Sequence, residues 1–235
     1  MASKMDGRCK TAHAKLLAGT CPWCGCSIVE GKVEGQLQDD LGSSPTESDE
    51  PPLSQTLANH LPTKGALSIA EAVGILRAIA HQLASFHQVN AMHGWLSPRN
   101  IGLKDNGVIL RDAAAISKRV ELQPTLADAD EIAGYLAPEQ ALGAVRADRR
   151  ADIYSLGCVL YFLLVGRPPF ATGSVSERLL QHQTDEPPPL ETVRENVPVG
   201  LQAICRKMLA KKPEHRDESA TEVLQAIEAW QAENR

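Results

Sequence analysis

Nowhere in these 235 residues do eighteen apolar ones run together, so a membrane-spanning helix is not expected. The opening stretch "MASKMDGRCKTAHAK" has none of the apolar core that a secretory signal needs. A cytoplasmic location is the resulting expectation. Lysine and arginine are missing altogether from Val33 to Thr63. The formal charge is −5, and no dense basic surface with interleaved aromatics stands out, so nucleic acid is not an expected partner. No repeat of fixed period is visible either. What is present, a chain that is 43% hydrophobic, suffices for one substantial core and a small appended module.

Three regions follow from the distribution of residue types. Residues 1–31 hold four of the six cysteines. Residues 32–66 include the acidic, proline-bearing "SSPTESDEPP", which reads as a flexible linker. Residues 67–233 carry the periodic apolar pattern of a packed domain. There, "SIAE" at 68–71 has the form of a capping box. Ile69, Val73, Leu76, Ala80 and Leu83 then mark one face of a helix running to about Gln88. The short runs "IGL" and "GVIL" flank Asn106-Gly107, a strong hairpin signal. "ADIYSLGCVLYFLLV" at 151–165 is apolar nearly all round, which predicts a buried central helix. "GLQAICRKMLA" predicts a further amphipathic helix, and "SATE" at 219–222 predicts the cap of a last one, reaching about Trp230. The expected class is mainly α with a small β-hairpin. Cys158 and Cys205 lie in the apolar helices and read as ordinary buried residues.

Five short motifs stand in a telling order: "HGWLSPRN" at 93–100, "DAA" at 112–114, "GYLAPEQ" at 134–140, "DIYSLG" at 152–157 and "LAKKPEHR" at 209–216. Their order and spacing resemble the C-terminal lobe of a protein kinase, in particular the bacterial eukaryotic-like Ser/Thr kinases, over roughly residues 67–232. In that family the catalytic loop reads H-R-D-L-K-P-x-N, the metal-binding motif D-F-G and the end of the activation segment A-P-E. The resemblance makes Ala137-Pro138-Glu139 the A-P-E. It makes Asn100 and Asp112 the two surviving magnesium-ligand positions, and Asp152 the carboxylate that holds the catalytic loop from the central helix. It also implies a buried ion bridge between Glu139 and Arg216.

The departures from that pattern concern the chemistry. Kinase catalysis is positioning plus neutralisation of charge around the γ-phosphate. Where the family has its proton-accepting aspartate stands Trp95, whose indole N–H only donates. Ser97 takes the place of the loop lysine, and Gly94 that of the arginine. No G-x-G-x-x-G occurs in the chain, and the residues ahead of the first predicted helix leave no room for a five-stranded N-terminal lobe. His93 reads as a packed loop residue, since the family's histidine here is architectural. The pair Asn100 and Asp112 without phosphates makes a poor magnesium site, so neither ATP nor Mg²⁺ is expected to bind productively.

The head offers Cys9, His13, Cys21 and Cys24, with "CPWCG" resembling a zinc knuckle of the ribbon type. Three thiolates and an imidazole would close a tetrahedral structural zinc site, and so short a segment would draw most of its folding energy from the metal. Cys26 competes with His13 for the fourth position. A redox Cys-x-x-Cys pair and plain unligated thiols are the alternatives. The function expected from all of this is a kinase-derived pseudokinase that serves as a scaffold or regulator in bacterial-type signalling. Its partner would be a protein, either another kinase or a second copy. An active Ser/Thr kinase is the alternative, and a zinc-ribbon regulator binding nucleic acid a remote one.

Overall fold

In the computed structural model, residues 18–20, 27–29, 32–33, 56–104, 107–114, 116–117, 125–141 and 147–234 are described. The chain divides into two compact units, Met1–Thr46 and Glu47–Arg235. The first contains a three-stranded antiparallel sheet of β1 (Ala18–Thr20), β2 (Ser27–Val29) and β3 (Lys32–Val33) in that order. Cys9, His13, Cys21, Cys24 and Cys26 lie outside the described residues.

The second unit is mainly helical. Helix α1 (Leu57–Lys64) opens it, within the segment expected to be linker, and this is a correction. Leu57 and Leu61, one turn apart, are 0% and 2% exposed, and Thr56 bridges to Gly102. Residues 56–66 therefore belong to the packed unit, because two leucines on one face suffice to anchor a short helix despite the charge-poor, proline-bearing sequence around them.

Helix α2 (Ile69–Gln88) starts at the expected capping box: Ser68 Oγ accepts from the Glu71 amide at 3.2 Å and Glu71 returns a carboxylate to the Ser68 amide at 3.0 Å. Its apolar face, with Val73, Leu76, Ala80 and Leu83, is buried. The hairpin of β4 (Ile101–Lys104) and β5 (Gly107–Leu110) pairs Ile101 with Leu110 through Lys104 with Gly107. Gln82 docks the hairpin's free edge onto α2. Its amide donates to the Val108 carbonyl at 2.5 Å and accepts from the Leu110 N–H at 2.9 Å, as a neighbouring strand would.

Short helices α3 (Leu126–Tyr135) and α4 (Pro138–Ala141) precede α5 (Arg150–Val165), which is buried from Ala151 to Leu164. A helix covered on every side needs neighbours, and here α2, α3 and α8 (Val199–Met208) pack on it. Gly157 permits the closest approach: a Cβ there would lie 3.0 Å from the Met208 Cβ and 3.1 Å from Leu209. Helices α6 (Val175–Thr184), α7 (Leu190–Val193) and α9 (Ala220–Glu233) complete the unit. The start of α9 differs from expectation. Ser219 occupies the N-cap but its side chain makes no capping bond. The amide of Ala220 is instead taken by His87 Nδ1 at 3.0 Å, and Glu222 caps the Glu218 amide. Cys158 and Cys205 are buried free thiols, and burial pushes both upward, Cys205 to about 12, which leaves them unreactive.

Candidate functional site

The loop 92–100 leaves α2 and is held by one carboxylate. Asp152, in the first turn of α5, is 1% exposed. Its Oδ2 accepts the His93 amide and its Oδ1 the Gly94 amide, both at 2.7 Å. A third bond comes from His87, whose Nε2 lies 3.1 Å from Oδ2. Because His87 Nδ1 already accepts from the Ala220 amide, the ring proton must sit on Nε2 and point at Asp152. One buried carboxylate thus ties the loop, α2, α5 and α9 together.

His93 is equally committed. Its Nε2 reaches the Arg111 carbonyl at 2.9 Å, its Nδ1 receives the Trp95 amide at 3.3 Å, and its ring meets Phe86 edge-on at 5.8 Å. Both nitrogens are used in holding backbone. Asn100 donates from its side-chain amide to the Trp95 carbonyl at 2.9 Å, while its backbone carbonyl accepts from the Arg111 N–H at 3.0 Å. Asp112 follows β5 and is exposed. Ser97 is 4% exposed.

Gly94 has a φ of +75°, a backbone region that glycine enters freely and side-chained residues rarely do. A Cβ there would also lie 3.3 Å from the Met92 methyl. The Gly94 carbonyl accepts from Gln140 at 3.1 Å, and Gln140 Oε1 accepts from the Ala137 amide at 3.2 Å, so the loop is stitched to α4.

Helix α3 lies over this loop. Thr125 and Asp128 form its capping box, and Glu131 on its inner side accepts the Arg99 amide at 3.0 Å. Burial raises the Glu131 carboxyl above the usual range, against the pull of the Arg99 N–H and charge. Ser97 Oγ sits beside the same carboxylate but is buried without a well-formed hydrogen bond. The cavity left between loop and helix, lined by Trp95, Ser97, Asn100 and Glu131 among others, measures about 30 Å³, room for a water or two. Ligand pockets are typically ten or more times larger.

Glu139 and Arg216 meet with a bidentate geometry: Oε1 accepts from Nη1 at 2.7 Å and Oε2 from Nη2 at 3.0 Å. Arg216 also donates to the carbonyls of Ala210, Arg150 and Lys211 at 2.7, 2.9 and 2.9 Å. All five guanidinium N–H groups are therefore occupied. Its side chain is 0% exposed and its cationic face covers Tyr154 at 4.9 Å.

The sequence that carries these residues has relatives among known proteins. Residues 49–227 match the family model described as "Protein kinase domain". The chain belongs to the protein kinase family. Serine/threonine-protein kinase PknB of Mycobacterium leprae is 35% identical over 201 residues, covering 84% of this chain and 32% of that protein. PknB of Mycobacterium tuberculosis is 35% identical over 172 residues, covering 72% of this chain and 27% of its own length. A probable PknB of Bifidobacterium longum is 31% identical over 172 residues. The chain is thus of the bacterial eukaryotic-like type and spans a quarter to a third of these relatives' length.

Within the kinase family frame, the structure brings together His93, Gly94 and Asp152, and separately Glu139 and Arg216. His87, Gln140 and Glu131 were not anticipated from sequence. Among the described residues no group of three metal-ligating side chains converges, and no helix is long and apolar enough to cross a membrane.

Proposed function

We propose that this kinase-family chain is a pseudokinase that works by binding other proteins rather than by moving phosphate. The observation that carries the reading is Trp95. In the loop position where the family accepts the hydroxyl proton stands an indole that can only donate, next to Ser97 where the charge-neutralising lysine belongs. Of the polar groups that survive, the Asn100 side-chain N–H is committed to the Trp95 carbonyl, His93 to the Arg111 carbonyl and Asp152 to the loop amides.

With generic protein substrates and radiolabelled ATP, no transfer is expected, and MgATP is expected to leave the melting temperature unmoved. Phosphate transfer that disappears in Asp112→Ala would overturn the proposal and establish the alternative, an active Ser/Thr kinase, which the names of the relatives favour.

For the head, the reading is a structural zinc site from Cys9, Cys21, Cys24 and either His13 or Cys26. The donor set fits zinc chemistry. Strand β1 ends one residue before Cys21 and β2 begins one after Cys26, an arrangement in keeping with a ribbon. Metal analysis of the purified chain is expected to give about one zinc per molecule, held through gel filtration. Less than half that amount, with no response of the far-UV spectrum to chelator, would remove the site.

A further inference from the structure

Two carboxylates hold the loop 92–100, and they are unequally provided for. Asp152, near its start, accepts two backbone amides and faces the His87 ring. Glu131, near its end, accepts the Arg99 amide at 3.0 Å and makes no ion pair among the described residues. The seam around Glu131 is also poorly filled. Two small cavities, of about 30 and 20 Å³, lie between α3 and the loop, and Glu131 lines both together with Trp95 and Asn100. Ser97 Oγ is buried in the same seam without a well-formed hydrogen bond. On its other side Glu131 lines an open cleft of about 330 Å³ shared with α6. A proton can therefore reach the carboxyl from solvent without unfolding the helix.

The charges that face Glu131 are few. Arg99 stands on the loop, and its cation favours the ionised form, while Asp128, one turn earlier on α3, opposes it. From α6, Arg178 shares the cleft but is paired with Asp130. His182, also on α6, meets the Ala133 carbonyl and titrates only at about 4. The Tyr135 phenol, pushed well above its ordinary range by burial, stays neutral in acid and at neutrality. From α5 the seam receives Ser155, which carries no charge. A carboxylate with one amide for a partner and voids beside it keeps its charge at a cost that protonation removes. Once neutral, it can still accept the Arg99 N–H through one oxygen and can give its own hydrogen to Ser97 Oγ through the other. Burial accordingly outweighs the Arg99 attraction and raises the Glu131 carboxyl.

We infer that Glu131 is a proton-operated clasp: the seam between α3 and loop residues 95–100 tightens when Glu131 takes up a proton and loosens when the proton leaves. Protonation favours the closed seam, so its contribution is present in acid and is lost as pH rises through the raised carboxyl range. Asp152 holds the other end of the loop throughout. The clasp is indifferent to whether the lobe transfers phosphate.

Amide hydrogen exchange on the full chain, followed by NMR, reads the clasp directly, because the Arg99 N–H is the group that Glu131 holds. After correction for the intrinsic pH dependence of exchange, protection of the Arg99 amide is expected to fall about twofold or more from about pH 5 to about pH 8. The His93 and Gly94 amides, held by Asp152 at 2.7 Å, are expected to keep theirs over the same range. In Glu131→Gln, which retains an acceptor and cannot ionise, Arg99 is expected to stay as protected at the alkaline end as the wild type is at the acidic end. Carbon-13 titration of the Glu131 carboxyl, which needs no variant, is expected to give a midpoint above the ordinary glutamate value of about 4.3. The inference is overturned by an Arg99 protection that does not change with pH, or by a titration midpoint at or below the ordinary value. A fall that persists in Glu131→Gln, or that His93 and Gly94 share equally, overturns it as well.

Discussion

Replacing Glu139 by alanine is expected to cost about 3–5 kcal/mol of folding stability, because it strands the Arg216 guanidinium in a site with no water to receive it. The Arg216 side chain is 0% exposed and Glu139 14%. The pair is therefore not one of the exposed bridges, whose contribution is typically about 0–1 kcal/mol. Arg216→Ala should cost at least as much. It leaves the Glu139 carboxylate unpaired and also removes the donor from three backbone carbonyls, those of Ala210, Arg150 and Lys211. It further opens the space over Tyr154. Glu139→Gln, which keeps one acceptor and the shape, should fall between wild type and alanine. Urea unfolding at neutral pH measures all three. A loss under about 1 kcal/mol for either alanine variant would show that the bridge behaves as a surface pair.

Acid should weaken the fold in a window set by His182. This side chain is 0% exposed. Its Nε2 faces the Ala133 carbonyl at 3.1 Å and its Nδ1 receives the Tyr154 hydroxyl at 2.8 Å. The rings of Tyr154 and Phe170 stand edge-on to it, and the Lys211 ammonium donates to the His182 backbone carbonyl at 3.0 Å. Burial first, then the Lys211 charge, lowers its pKa from 6.5 to about 4. As pH falls, the unfolded chain takes up the proton near 6.5 while the folded chain resists until about 4. The stability conferred by the neutral ring is therefore complete above 6.5 and is lost progressively between the two values, amounting to about 3 kcal/mol. Glu131 works in the opposite sense, since its raised pKa makes protonation favour the folded state. The clean measurement is a comparison with His182→Gln, by urea midpoints at several pH values from 7.5 downward. The variant starts lower, for want of the ring contacts, and should lose less on acidification. Parallel pH profiles for the two proteins would discard His182 as the source.

Much of this architecture is legible from local signals, and the exceptions are instructive. Ser68 and Glu71 advertise α2 because a clean apolar face follows them. The same signature, Thr125 with Asp128 and Ser174 with Glu177, starts α3 and α6. It passes unnoticed there because "LADADEIAGY" and "VSERLLQHQT" show no comparable apolar stripe. Polar tertiary bonds from Glu131, Arg178 and His182, which no periodicity reveals, help to hold those helices. At the site, Asp152, Glu139 and Arg216 were readable through motif order. His87 was not, since its choice of Asp152 and of the Ala220 amide is made across 65 and 133 residues. Ser219 illustrates the converse. Its sequence context offers a cap, but its side chain makes no capping bond, and a histidine from another helix takes the Ala220 amide of the same first turn.

The left-handed glycine at 94 carries a lesson for anyone seeking to install the family's loop residues here. Exchanging Trp95 and Ser97 for aspartate and lysine alters only side chains, but reinstating an arginine at 94 meets a main-chain twist of φ +75°. Holding an ordinary residue in such a twist costs about 1–2 kcal/mol, before the crowding against Met92. Relief would require the Gln140 tether to let go. Installing the family's full loop sequence is therefore a rebuilding of the peptide path, and a single exchange at 94 starts uphill.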